Sequence, residues 1–133
     1  RYTKSGNQWQ EETIATLEGG VQARVLLAAD LDRNGKRELI VTTMKGGIWQ
    51  LTPNVQGTPW QKAAIDAAST GYEHAAVAAS LPKQGSMLFA TADDQDRLSV
   101  YRHQNGRYAR KELMRLNRRD ITWNITTCGH LSK

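Results

Sequence analysis

The chain has 133 residues, of which 39% are hydrophobic and 23% charged, and it carries a net charge of +5. That composition excludes disordered and fibrous classes, and the longest apolar run, Val25 to Ala29, falls far short of the roughly 20 residues a membrane helix needs. The single Cys128 excludes an internal disulfide and a cysteine zinc cluster.

Strand-like segments follow one another along the chain. After the turn at Ser5-Gly6-Asn7 comes an aromatic-led strand, Trp9 to Ile14, and then a small-residue strand, Val25 to Leu31. Two β-branched runs follow at Glu38–Thr43 and Gly47–Leu51, and a second aromatic-led strand at Trp60–Ile65. The series then repeats as Ala75–Leu81, Met87–Ala92, Arg97–Tyr101 and, past the turn Gln104-Asn105-Gly106, Tyr108–Leu113. A last small-residue run, Ile125–Leu131, restarts it. The aromatic-led strands begin at residues 9, 60 and 108, a period of about 50.

Short strands rich in β-branched and aromatic residues, divided by Gly and Asn turns, predict an all-β chain of four-stranded antiparallel units. The reading is a β-propeller segment with an incomplete ring. Residues 1–18 are outer strands of an incomplete blade, 19–67 and 68–116 are complete blades, and 117–133 hold the inner strand of a truncated one. The competing architecture is a β-sandwich made of two similar halves. Two blades do not close a ring, so the rest of a longer propeller chain, or other copies, is expected to complete it.

Chemistry concentrates in Asp30-Leu-Asp32-Arg-Asn34-Gly35-Lys36-Arg-Glu38. Oxygen-bearing side chains alternate, Gly35 permits a sharp turn and Glu38 closes the loop. Calcium takes six to eight oxygens, and Asp30, Asp32, Asn34, the main-chain carbonyl of Lys36 and Glu38 supply most of that shell. An EF-hand would need a Glu where Val41 stands, between helices rather than strands. The alternative is an ordinary acidic turn.

These residues resemble the calcium loops of the FG-GAP and VCBS repeat propellers, Asp-x-Asp-x-Asp/Asn-Gly-x-x-Asp/Glu followed by an apolar strand. The resemblance implies one structural calcium between the first two strands of a blade, and an extracellular or periplasmic setting. In the second repeat Ser80, Pro82 and Gln84 stand at the ligand positions, so no metal is expected there. In the third, His130 and Ser132 take the first two places.

Tyr72, Glu73 and His74 precede an inner strand, where propellers line their central opening, and are candidate ligand-binding residues. The three histidines, His74, His103 and His130, lack the close spacing of a zinc site. Asp93 to Asp96 reads as a polar hairpin turn. Asn124 opens a glycosylation sequon but leads into a run expected to be a buried strand. Basic residues cluster at Arg102, Arg107, Arg110, Lys111, Arg115, Arg118 and Arg119 against Glu112 alone. They read as a solvated strand face, and a nucleic-acid partner is not expected. No nucleophile–base pair or phosphate-cradling loop is visible, so no catalytic residue is assigned. The composite expectation is a non-catalytic, calcium-stabilised scaffold or recognition module with a protein or other ligand. Trp9, Trp49, Trp60 and Trp123 keep open a glycan-binding lectin, and an enzyme with its active site in further blades is the third alternative.

Overall fold

A computed structural model describes residues 1–18, 22–69, 75–92, 95–117 and 124–127. Among these residues ten strands run in chain order: β1 (Tyr2–Ser5), β2 (Gln8–Glu11), β3 (Ala23–Ala29), β4 (Glu38–Thr43), β5 (Gly47–Asn54), β6 (Gly57–Asp66), β7 (Ala75–Leu81), β8 (Gly85–Ala92), β9 (Arg97–Gln104) and β10 (Arg107–Arg115). They form a β1–β2 hairpin and two four-stranded antiparallel meanders, β3-β4-β5-β6 and β7-β8-β9-β10. The chain is all-β, as its sequence predicts.

The turns follow from residues that tolerate left-handed backbone. Between β9 and β10, where Gln104 pairs with Arg107, Asn105 and Gly106 have φ of 51° and 77°. Positive φ at both central residues is the hairpin turn whose twist matches that of the strands. At the start of β5, Gly47 has φ of 85°, and a Cβ there would sit 2.5 Å from the carbonyl oxygen of Asp66. Glycine at this point lets the end of β6 lie directly against β5.

Register assigns each side chain to a face, because directly paired residues point the same way and neighbours alternate. In the first sheet Leu27 pairs with Ile40, Ile40 with Gln50, and Thr42 with Ile48. These side chains share one face, the front. Leu26, Leu39, Val41 and Leu51 lie on the other. The second sheet has matching pairs: Leu88–Tyr101 corresponds to Leu39–Leu51. The core joins Leu31, Ile40, Ile48 and Ile65 to Ala76, Leu88, Ala90 and Tyr101. The front of the first sheet therefore meets the back of the second. The stacking is head-to-tail, with β3 beside β7 and β6 beside β10.

Polar contacts run along the seam. Tyr101 donates to Asp66 Oδ2 at 2.9 Å, and the Arg110 guanidinium reaches the same oxygen at 3.0 Å. The back of the first sheet stays partly open, with Leu26 62% exposed.

Two expectations change. The strand from Trp9 ends at Glu11, and the chain instead passes along β6, where Trp60 N–H donates to the Ile14 carbonyl at 2.8 Å. Hairpin bonding runs on through Glu12, whose N–H donates to the Arg1 carbonyl at 2.8 Å and whose carbonyl accepts from the Arg1 amino group at 2.6 Å, while the Thr58 hydroxyl donates to Glu12 and the Lys62 ammonium to Glu18, anchoring this stretch on β6. At the other end, residues 124–127 lie outside any strand and Asn124 is exposed; the rest of the run expected as a strand, 128–131, lies outside the described residues. Among the described residues, 124–127 have no ladder partner that would extend them into one. Of the basic residues, Arg107, Arg110, Lys111 and Arg115 of β10 are exposed and Arg102 is half-buried, while Arg118 and Arg119 lie outside the described residues.

Candidate metal centre

Register opens the loop: Ala29, the last residue of β3, pairs with Glu38, the first of β4. The intervening chain is folded by its own side chains. Asp30 accepts the N–H groups of Asn34 and Gly35, both at 3.0 Å, on separate oxygens. Asp32 Oδ1 accepts Asn34 N–H at 3.1 Å, and Asn34 Oδ1 accepts Lys36 N–H at 2.7 Å. Short polar side chains bonding backbone a few residues on are what turns the chain here, and Arg33 and Gly35 take left-handed φ of 64° and 83°.

This folding gathers Asp30, Asp32 and Glu38 so that one carboxylate oxygen from each lies within 4.8 Å of the others. Asn34 faces the same cluster, its Nδ2 donating to Asp32 Oδ2 at 3.0 Å and Glu38 Oε1 at 3.4 Å. Lys36 enters the loop through its amide; its carbonyl is the group expected to ligate. Tyr72, Glu73 and His74 lie outside the described residues, as do Asp93, Asp94, Trp123, Cys128 and His130.

Glu38 separates this cluster from a solvated acidic turn. It is 0% exposed, and its Oε2 is buried without a hydrogen-bond partner. Burial, then the nearby Asp32 charge, raise its pKa above the ordinary carboxylate value, against the lowering effect of the Leu31 peptide N–H. A buried acceptor left unpaired costs about 1–3 kcal/mol, more when charged. A cation among the three carboxylates would remove both the repulsion and the orphan. The donors are all oxygen, which selects a hard divalent ion over zinc or copper.

The raised pKa has a consequence for the metal-free chain. The unfolded carboxyl titrates near 4.5 and the folded one higher, so the folded state holds its proton more tightly. The contribution of Glu38 is fully present below the unfolded pKa and is lost as pH rises through the folded value. In chelator, the denaturation midpoint of Glu38→Gln is therefore expected to fall less than that of the parent between pH 4.5 and neutrality. Parallel pH profiles for the two chains would refute this.

Sequence reading missed the neighbours supplied by the second sheet. Tyr108, on β10, donates its hydroxyl to Gln50 Oε1 on β5. Burial, then the charges of Asp32, Glu38 and Asp30, hold its pKa well above the usual phenol value. The His103 ring lies 5.0 Å from that of Tyr108. Arg33 reaches the Gln84 carbonyl in the β7–β8 turn. No linear signal marks these residues, since Gln50 and Tyr108 stand 58 positions apart. The β7–β8 connection itself is tight, with Leu81 paired to Gly85 and Gln84 N–H donating to the Leu81 carbonyl at 3.1 Å.

Fold and site together define an all-β protein of stacked four-stranded antiparallel sheets with a partly buried acidic cluster at one end of the seam. No family model matches the chain, and neither a curated protein nor a solved structure does. Among the described residues no helix is long and apolar enough to cross a membrane.

Proposed function

We propose that this chain is a β-propeller segment of the FG-GAP and VCBS kind, stabilised by one calcium ion and used as a non-catalytic scaffold or recognition module. The metal half rests on the orphaned Oε2 of Glu38, fully buried beside Asp30 and Asp32. Asp30, Asp32, Asn34, Glu38 and the Lys36 carbonyl are the ligands. To ligate, Asn34 turns its amide so that Oδ1 replaces Nδ2 toward the ion.

The propeller half draws support from the head-to-tail stacking. A duplicated sandwich related by a two-fold axis would bring like faces together. Here unlike faces meet, an arrangement that continues to a further sheet on either side until a ring closes. The β1–β2 hairpin fits the outer pair of a preceding blade. Further blades come from a longer chain or from other copies, and the ligand is a protein or a glycan in an extracellular or periplasmic setting.

Calorimetric titration with calcium tests the site. The parent chain is expected to give heat for one site, and Asp30→Ala to give none while keeping its β-rich circular dichroism spectrum. Heat of equal size from both chains removes the assignment. With calcium about a hundredfold above its Kd, linkage raises the stability of the parent by about 2.7 kcal/mol.

A further inference from the structure

We propose that the acidic loop is a clasp between the two sheets, so that cation binding tightens the sheet-to-sheet seam as well as the loop itself; this rests on the calcium reading above. The ligand positions alternate with the residue that grips the other sheet. Arg33 lies between Asp32 and Asn34, and its Nη2 donates to the Gln84 carbonyl in the β7–β8 turn. The approach is so close that a Cβ on Gly85 would fall on the Arg33 guanidinium. Gly85 itself turns the chain with a φ of 75°. The Gln84 side chain continues the link, accepting Arg102 Nη2 of β9 at 2.6 Å.

A second tie lies beside the cluster, near enough for its three carboxylate charges to act on Tyr108. Glu38, Ile40 and Gln50 occupy the front face of the first sheet, and Gln50, 7% exposed, accepts the Tyr108 hydroxyl from β10. The loop thus neighbours two cross-sheet contacts. Without a cation, three clustered carboxylates repel one another and the loop samples more conformations. A hydrogen bond from an exposed Arg33 then contributes little, because ordering its long side chain offsets the gain. With Asp32 and Asn34 both fixed on an ion, Arg33 is held at the turn and that entropic cost is already met.

Hydrogen exchange of the full chain by mass spectrometry, in calcium and in chelator, tests the clasp, with calorimetry run in parallel. In the parent chain calcium is expected to slow exchange about tenfold in residues 81–86 and 107–109 as well as 30–39. Arg33→Ala keeps the calcium heat and the slowing at 30–39 but loses it at 81–86, and Arg33→Lys restores it in part. Slowing confined to 30–39 in the parent, or equal slowing at 81–86 in Arg33→Ala, overturns the clasp and leaves the calcium site standing. Absence of calcium heat in the parent overturns the calcium reading itself and the clasp with it.

Discussion

Glu38→Gln is expected to be more stable than the parent chain in chelator and less stable in calcium. In chelator, the change removes a buried charge facing Asp30 and Asp32 and replaces an orphaned acceptor with an amide that donates to them. The gain is about 1–2 kcal/mol, within the range of about 1–3 kcal/mol over which a buried unpaired polar group destabilises. In calcium the parent recovers more than this, because the ion needs the Glu38 carboxylate. At about a hundredfold over Kd the variant forfeits the linkage term of about 2.7 kcal/mol. Urea denaturation of both chains in both buffers gives the four stabilities needed. An unchanged order of the two chains in calcium and in chelator would exclude a cation at Glu38. The reversal separates a metal site from an acidic turn, since a turn residue alone would move stability in one direction.

The second large effect is expected at Leu88. This side chain is 0% exposed and belongs to the cluster that joins both sheets. Leu88→Ala is expected to cost about 3–5 kcal/mol, the upper part of the range for a buried leucine whose neighbours do not collapse into the space. Ile40 and Ile48, also 0% exposed, come from the facing sheet, and their strand backbones are fixed by ladder pairing, so the cavity persists. Leu26→Ala, on the open back of β3, is expected to change stability by less than about 0.5 kcal/mol. A single urea transition with an unchanged slope is expected for both variants, because the seam makes the sheets one cooperative unit. Similar losses at Leu88 and Leu26, or two separate transitions in the parent, would contradict the head-to-tail core.

The contrast between these two leucines marks where sequence reading stops. Both stand in apolar strands, and alternation says only that neighbours point to opposite faces. Which face a second sheet covers depends on its partner, and the pattern Val25-Leu26-Leu27 has no gap to reveal it. Conversely, the strands were legible wherever side chains and turn residues agree: β4 runs from Glu38 to Thr43 and β7 from Ala75 to Leu81, as their β-branched and small-residue runs predict. Ends set by pairing were less so. The strand from Trp9 ends at Glu11, one residue before hairpin bonding to Arg1 gives way, and by Ile14 the chain has turned to β6 and accepts the Trp60 N–H.

The loop shows the same division. Asp30, Asp32, Asn34, Gly35 and Glu38 were legible because alternating oxygen donors and a left-handed glycine are local properties, fixed by spacing along one loop. Local chemistry along the chain thus suffices for its all-β character, for the recurrence of a unit of about 50 residues, and for the convergence of three carboxylates and an amide. It takes the packed sheets to bury Glu38 with its Oε2 unpartnered, to bring Tyr108 and Gln84 to the loop from the second sheet, and to set the front of one sheet against the back of the other. Those outcomes depend on long-range packing and desolvation, which arise when strands distant in sequence are stacked and water leaves the seam.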